Sequence, residues 1–489
     1  MRLPRHQHRR LLALSLGVLL GGCAVGPDFK RPPPPEVTQY GNEPVSDISA
    51  APALGAEAQH FNVGLDISQQ WWKAFASPEV DALIQQALDA NPDLQAAQAA
   101  LRAALENVAA QRGTFFPTLS GSYGYNKQQD PLATLAPTLN SGIPIFSLNT
   151  ASLNVAYNVD VFGLYRRQLE SLQASADAQR YQMQATYLTL VSNTLTAAIM
   201  QAAARTQLEA TRELIRSGRE SLEVLHQQYR LGAISMAQVR AQESSLAQQE
   251  ALLPALEQQQ IAQHDLLAQL TGKFPSQLPP GELDLSMLTL PQELPLTLPA
   301  KLVEQRPDIR EAQAQLHAAT ADVGVAIANM LPDISLSAGI GTTAVALSQL
   351  DQPGTRFWNY GASLSQTLFA GGALLHKKRA AVALMDQAGA TYRGTVLQAF
   401  RQVADALAAL QADARALEAQ ARAERAAADS LNIVRQNLQL GSASYLDLLI
   451  AQGLYSQAVV ALAQARAARL TDTVALFQAL GGGWWKRAA

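Results

Sequence analysis

The same order of segments occurs twice along this chain, and each copy places two short alternating stretches between helical segments too long for an ordinary globular core. A Pro-Asp pair opens a helical segment at Pro92 and again at Pro307, and a strand segment follows from Pro117 and again from Pro332. Both pairs are 215 residues apart. Repeated supersecondary units usually complete their core against copies of themselves. The sequence therefore predicts two pseudo-repeats within one body, at 71–275 and 299–482.

Each pseudo-repeat contains one exceptionally long helical segment. Residues 164–231 hold no proline and one internal glycine, Gly218, which predicts a helix about 100 Å long at about 1.5 Å per residue. The second repeat matches it at 372–440. Further helices are predicted at 235–270 and 444–480, antiparallel to the long ones. Coiled-coil spacing marks a seam on the first long helix, at Leu188, Val191, Leu195, Ala198 and Ala202. An elongated solid coiled coil is the alternative at this point.

Four segments alternate polar and apolar residues with a period of two, which indicates β-strands. They lie at about 117–127, 150–162, 332–344 and 356–369. Strands of this length with one polar and one apolar face are typical of outer-membrane barrels, although soluble sheets alternate too. Aromatic residues near the strand ends are expected to form interfacial girdles: Phe115, Phe116, Phe162, Tyr165, Phe357, Trp358 and Phe369.

Four strands are too few to close a barrel, since the smallest have about eight, and open sheet edges are not tolerated in lipid. The chain must therefore obtain its missing strands by oligomerising. A dimer would supply eight strands and a narrow interior, whereas a trimer would supply twelve. We predict a mainly α-helical fold with membrane β-strands, in which a trimer forms a 12-strand β-barrel continued by an α-helical barrel.

The N-terminus has the features of an export signal. Four arginines precede an apolar run from Leu11 to Leu20, which is about half the roughly 20 residues of a membrane-spanning helix. The single cysteine, Cys23, follows small residues at the expected cleavage point and resembles a bacterial lipobox. We expect residues 1–22 to be removed and Cys23 to carry lipid. A lone buried cysteine is the alternative, and Ala24 after the cysteine favours the outer membrane.

Composition limits the partners and the remaining segments. Cleavage would remove four arginines and no acid, leaving 33 basic and 40 acidic residues and a formal net charge of −7. Nucleic acid is therefore an unsuitable partner. Residues 23–70 are rich in proline and small residues, which predicts a lipidated tether with no packed domain before Trp71. Residues 276–298 are predicted to be an equatorial linker, and 483–489 a C-terminal tail containing Trp484 and Trp485, to which we assign no role.

Three stretches carry a resemblance to a known family. They begin at Trp71 (WWKAFASPEVDALIQQALDANPDL), Arg306 (RPDIREAQAQLHAATADVGVAIANMLPDISLSAGIG) and Leu368 (LFAGGALLHKKRAAVALMDQ). The chain resembles the outer-membrane factor (TolC-like) family from Cys23 to about Gly482. The lipobox with AVGPDFKRP is similar to the NodT-type lipoproteins of tripartite efflux pumps. The resemblance implies a homotrimer in the outer membrane of a Gram-negative bacterium, a periplasmic adaptor protein and an inner-membrane transporter of the resistance-nodulation-division class.

The resemblance also implies site residues at two helix-helix turns, where the adaptor would dock. These docking tips are Leu231, Gly232, Ala233, Leu440, Gly441 and Ser442. Both glycines are equally expected to be helix C-caps. Asp447 matches a carboxylate that narrows the closed pore in the family, and three copies on a threefold axis would repel and hold cations. A solvated surface acid is the alternative. Ile450 stands where the family often has a second carboxylate, and Gln238 matches Asp447 in the first repeat, so an apolar ring is expected to contribute to the periplasmic gate.

No catalytic or cofactor chemistry is expected. The histidines are scattered without metal-ligand spacing, and the sequence has no phosphate loop or nucleophile elbow. The predicted function is a passive outer-membrane exit duct for drugs or other small toxic compounds in a tripartite efflux system. Two alternatives stay open: a non-conducting envelope scaffold lipoprotein and an exit duct for a protein secretion system. The sequence does not identify the substrates, the particular pump or the resting state of the tips.

Overall fold

The computed structural model describes residues 24–41, 45–53, 55–129, 145–279, 281 and 283–486. The predicted signal peptide and Cys23 lie outside the described residues. The chain divides into two compact units. The first combines residues 24–31 with Arg102–Ala178 and Ala312–Thr391, and the second combines Pro32–Leu101, Gln179–Glu311 and the chain from Tyr392 onward.

The described residues contain six strands in two sheets. The strands are β1 (His60–Val63), β2 (Thr118–Gln129), β3 (Ile145–Val159), β4 (Glu293–Leu296), β5 (Asp333–Ala344) and β6 (Arg356–Ser365). The larger sheet lies in the first unit and has the order β2-β3-β5-β6, with every neighbouring pair antiparallel. Its strands fall on the four predicted segments, although β3 begins at Ile145 rather than near 150.

The helices follow the repeat that the sequence predicts. They are α1 (Pro78–Ala90), α2 (Pro92–Gly113), α3 (Leu164–Arg230), α4 (Met236–Glu250), α5 (Leu253–Leu270), α6 (Pro299–Gln305), α7 (Pro307–Ala328), α8 (Ala373–Gln439) and α9 (Tyr445–Ala479). Both α3 and α8 have 67 residues, so the two repeats contain long helices of equal length.

The prediction of a single helix at 235–270 is wrong. This segment forms two helices, α4 and α5, which are separated by Ala251 and Leu252. Pro254 lies in the first turn of α5. Proline has no amide hydrogen and its ring clashes with the carbonyl four residues earlier, so it ends one helix and starts another. The matching residue of the second repeat is Ala463, and α9 is continuous there.

The segment predicted to be a simple tether is packed over much of its length. Ile48, Gln59 and Ile67 are buried in the second unit. Strand β1 pairs in parallel with β4, which lies within the predicted linker. The fully buried Arg469 of α9 donates hydrogen bonds to the carbonyls of Gly55 and Glu57. The sequence of this proline-rich stretch did not predict its packing, because its backbone groups bond to residues that are distant along the chain.

The same joint occurs in both repeats where short helices meet end to end. The Asn91 side chain, at the start of α2, donates to the Leu270 carbonyl at the end of α5 at 3.0 Å. In the second repeat the Arg306 guanidinium, before α7, donates to the Ala479 carbonyl at the end of α9 at 2.8 Å. A glycine with positive φ follows each helix end, at Gly272 and Gly481. These bonds satisfy carbonyls that a helix C-terminus otherwise leaves without partners.

The C-terminal tail packs against the second of these joints, between α6, α7 and the end of α9. Trp484 donates its indole N–H to the Gln305 carbonyl and packs edge-on against Tyr181 at 5.6 Å. Trp485 donates to Asp66 at 3.3 Å. The tryptophans to which the sequence assigned no role therefore hold the tail against the second unit.

Candidate functional site

The four-stranded sheet has one mostly polar face and one mostly apolar face. Strand pairing aligns Ser120, Asn154, Gly339 and Asn359 across one face, and Leu153, Ile340 and Trp358 across the other. The polar side chains bond to one another, for example Ser122 to Ser152 at 2.9 Å between hydroxyl oxygens. Asp333 is the one charged residue on the polar face of the four described strands, and it stands at the start of β5.

The apolar face is exposed and carries aromatic rings. Leu153, near the middle of β3, is 53% exposed, and Trp358 stacks on Tyr360 with ring centroids 5.7 Å apart. The prediction that Phe357 belongs to an interfacial girdle is wrong, because Phe357 points to the polar face and covers Gly341. Alternation along β6 puts Trp358 and Phe357 on opposite faces. Tyr123 and Tyr125 also lie on the apolar face, although they were not among the predicted girdle residues.

Within the described residues, β2 and β6 each have only one neighbour, so the sheet has two open edges. An exposed apolar face with open edges cannot stand alone in water, and in lipid every backbone group needs a partner. The sheet is therefore complete only as part of a larger closed barrel.

The two predicted docking tips have nearly identical backbones in the second unit. Gly232 and Gly441 have φ angles of 74° and 76°, and a Cβ at either position would meet no atom within 4 Å. Both turns form the double amide bond of a Schellman cap. The preceding leucines project from the ends, Leu231 being 83% and Leu440 81% exposed. The glycines are thus helix caps, and they bring apolar side chains to the tips.

The predicted gate residues Asp447 and Gln238 occupy equivalent positions as capping residues. The Asp447 carboxylate accepts hydrogen bonds from the Ser444 amide at 2.9 Å and the Ser444 hydroxyl at 2.6 Å. The Gln238 side chain accepts from the Ser235 amide at 2.9 Å. The hydrogen bonds from Ser444 lower the pKa of Asp447 below its usual 3.8. A Ser-x-x-Asp or Ser-x-x-Gln spacing is a capping-box signal, so this role was readable in the sequence.

Ile450 lies three residues after Asp447 and belongs to an exposed apolar stripe on α9. Leu446, Ile450 and Leu454 are spaced by four residues and each is more than half exposed. The corresponding positions of α4 hold only small residues, which are Ala237, Ala241 and Ser245. The second hairpin, and not the first, therefore presents a hydrophobic surface beside the acidic residue.

A small core near the tips joins the two helix hairpins of the chain. It contains one or more residues from each of α3, α4, α8 and α9: Leu225, Val239, Leu431, Tyr445, Leu448 and Ala451. Two polar links accompany it. The Tyr445 hydroxyl donates to the Ser221 carbonyl at 3.4 Å, and the Arg435 guanidinium donates to the Ser217 hydroxyl at 3.0 Å. Both links connect the second hairpin to α3 of the first.

Asp413 of α8 has a strongly perturbed acidity, away from the tips. Burial raises its pKa from 3.8 to about 7, assisted by a hydrogen bond with the Asp472 carboxyl group and by the charge of that group. Arg469 opposes this shift but is engaged by the backbone of residues 55–57. The pair is an acidic contact between α8 and α9. Among the described residues, no group of three or more His, Cys, Asp or Glu could hold a metal ion.

Replacing Asp413 by asparagine should reduce the loss of stability at alkaline pH. Because the pKa is higher in the folded chain, stability falls as pH rises from 3.8 to about 7 and then levels off. Asparagine keeps a donor for Asp472 but does not ionise. The increase in melting temperature of Asp413→Asn should therefore be larger at pH 8 than at pH 5. Asp429 lies on an exposed part of α8, so Asp429→Asn should change the melting temperature little, and by the same amount, at pH 5 and at pH 8. If Asp413→Asn and Asp429→Asn gave equal shifts in melting temperature, the prediction would be contradicted.

A sheet with one apolar and one polar face, combined with paired long helices that end in capped tips, defines an outer-membrane channel protein. The chain belongs to the outer membrane efflux protein family, whose model matches residues 83–273 and 298–482. It is therefore an efflux protein of the Gram-negative outer membrane. The fold class, with its repeated helices and strands, is thereby confirmed.

Individual relatives extend this similarity over nearly the whole chain. The pyoverdine export outer membrane protein OpmQ of Pseudomonas aeruginosa is 32% identical over 97% of both chains. The probable efflux pump outer membrane protein TtgC of Pseudomonas putida is 30% identical over 98% of this chain and 96% of the relative. The solved structure of the outer-membrane channel OprN superposes with a TM-score of 0.83 and 28% identity, covering 94% of this chain and 100% of that one.

Proposed function

We propose that the protein is the passive exit duct of a tripartite efflux system and works as a homotrimer. The two-faced sheet with open edges carries this proposal. Three copies would supply twelve strands, each apolar face would meet lipid, and each polar face would line a water-filled pore. The duct performs no bond chemistry, so the energy for transport comes from its partner proteins.

The tips are the proposed docking surface for a periplasmic adaptor, which would link the duct to an inner-membrane transporter of the resistance-nodulation-division class. Leu231 and Leu440 are exposed on rigid, glycine-capped turns, which suits contact with another helical hairpin. The remaining tip residues are Gly232, Ala233, Gly441 and Ser442. Burial of these exposed leucine side chains against a partner would favour docking, because removing apolar surface from water is favourable.

The gate is proposed to combine a ring of carboxylates with a ring of hydrophobic side chains. In a trimer, three copies of Asp447 and three copies of Ile450 would face one another near the axis. Like charges brought together attract cations, and an apolar constriction excludes water. Gln238 would add polar groups from the first repeat. Opening requires the second hairpin to move away from α3, which breaks the links at Tyr445 and Arg435.

The proposed cargo is small organic compounds. Relatives that are 30–32% identical are named for export of pyoverdine, antibiotics and toluene. The polar face of the sheet offers hydroxyl and amide groups and almost no charge, which would not discriminate strongly among solutes. We further propose that Cys23 is the lipidated N-terminus and that outer-membrane lipid holds it.

Conductance of the purified protein in planar bilayers tests the proposal, after light scattering has established a trimeric mass. Asp447→Asn should lower the permeability ratio of cations to anions, because the axis loses its negative charges while the amide oxygen still accepts from Ser444. Asp429→Asn, which removes an equal charge from α8, should leave the ratio unchanged. A wild-type monomer, or a trimer without conductance, would favour the envelope scaffold.

Passage of folded or unfolded polypeptide distinguishes the secretion alternative. A duct for small compounds should restore resistance to toxic solutes in a strain without its own duct, and should not restore secretion of a reporter protein. The opposite result would support the protein-secretion function.

A further inference from the structure

We propose that residues Ala24–Phe29 are a docking segment, and that α3 and α7 form its receptor. The lipid expected on Cys23 would then be held at the turn between β3 and α3. This proposal rests on the proposed function for its membrane setting, but the contacts that carry it lie within the first unit. It gives a physical role to the AVGPDFKRP stretch, which the channel function does not explain.

The centre of the receptor is the buried guanidinium of Arg167, whose side chain is 4% exposed. Its Nε donates to the Val25 carbonyl at 3.0 Å, and one Nη donates to the Asp28 carboxylate at 2.7 Å. The same nitrogen reaches the carbonyls of Ala24 and Gly26 at 3.5 Å each, and the other Nη donates to Glu170 at 2.6 Å. A buried cation without partners is strongly destabilising. The docking segment supplies most of these partners.

Two glycines, Gly163 immediately before α3 and Gly324 within α7, provide the space in which the segment lies. A Cβ built at Gly324 of α7 would be 2.8 Å from the Val25 carbonyl oxygen and 2.9 Å from Cδ of Arg167. A Cβ at Gly163 would be 2.6 Å from Cα of Ala24. Such distances are far below van der Waals contact, so any larger residue at either position would push the segment out.

The far end of the segment is fixed by an aromatic contact. Phe29 stacks on His317 of α7, with ring centroids 4.3 Å apart and planes 17° from parallel. The Nε2 atom of His317 lies 2.9 Å from the Glu170 carboxylate, which also accepts from Arg167. The segment is therefore bound at both ends to the same group of receptor side chains.

The position of Ala24 determines where the lipid would enter the membrane. The amide of the next residue, Val25, donates to the Phe162 carbonyl at 3.1 Å. Phe162 follows the end of β3 at Val159 and precedes the start of α3 at Leu164. If β3 crosses the outer membrane, this turn lies at its periplasmic surface. Acyl chains on Cys23 would then be anchored at a fixed point on the rim of the barrel.

Trypsin release of the lipidated peptide tests the docking. Cleavage after Lys30 frees Cys23–Lys30 from the body, and proteolysis of a bound segment requires it to detach first. Gly324→Ala fills the space that the segment occupies, and Arg167→Met removes several charge-assisted hydrogen bonds. In detergent-purified protein, each variant should therefore accelerate release of the peptide by at least about tenfold. Mass spectrometry measures the acylated peptide.

Matched controls separate docking from general damage. Gly394→Ala places a methyl group in open space on α8, and Arg212→Met removes an exposed ion pair of α3. Both should release the peptide at the wild-type rate. Gly324→Ala keeps α7 intact because alanine is the better helix former.

Equal rates in all five proteins would overturn the docking proposal. Wild-type protein that protects the segment but does not conduct would contradict the proposed function and leave the docking proposal intact.

Discussion

Leu153→Arg should prevent assembly of the membrane-inserted trimer. Leu153 lies near the middle of β3 on the exposed apolar face. An arginine facing lipid near the bilayer midplane costs about 2–4 kcal/mol per copy, and a trimer would contain three copies. The measurement is the fraction of protein that migrates as a detergent-resistant trimer in outer-membrane extracts, and this fraction should fall to near background.

The neighbouring residue provides the control for this prediction. Ser152 lies on the polar face, where its hydroxyl contacts Ser122. Ser152→Arg puts the same side chain into the proposed water-filled interior, so it should still assemble. If both variants assembled equally well, the apolar face would not meet lipid, and the membrane-barrel interpretation would fail.

Removing the two polar links between the hairpins should produce channels that open far more often. Arg435→Met with Tyr445→Phe deletes the bonds to Ser217 and Ser221 and retains the Tyr445 ring in its small core. Two hydrogen bonds contribute about 1–3 kcal/mol together, which corresponds to about a 5- to 150-fold change in the ratio of open to closed tips. Single-channel recordings should show the ratio of open time to closed time rising by a factor in this range.

A second arginine of the same helix controls for the loss of charge. Arg425 donates to the Ala421 carbonyl within α8, so Arg425→Met should leave open probability unchanged. The single variants should give intermediate values. An unchanged open probability in the double variant would show that these two links do not hold the tips closed.

Local signals in the sequence predicted the features that depend on local chemistry. Gly232 and Gly441 marked the tips, because a helix ending on a left-handed residue favours glycine. Alternation marked all four membrane strands, since a strand with two different environments has a period of two. Pro254 was an equally local signal for the break between α4 and α5, and the prediction of one helix at 235–270 did not take it into account.

Features that depend on tertiary packing could not be predicted in this way. Arg167 and Val25 are far apart in the sequence, and neither has a pattern that points to the other. The burial of Gln59 depends on Arg469, and the raised pKa of Asp413 depends on Asp472. Among the predicted gate residues, the capping role of Asp447 is local, but its proximity to other copies rests on the proposed trimer.

The weakly polar face of the sheet affects how quickly a solute could leave. Hydroxyl and amide groups repeat along this surface, so a molecule that releases one hydrogen bond can form a similar one a few ångströms farther on. Successive sites then differ little in free energy, and no deep well traps the solute. In the proposed duct, net movement along such a surface would follow the concentration gradient, and chemically different solutes would pass at similar rates.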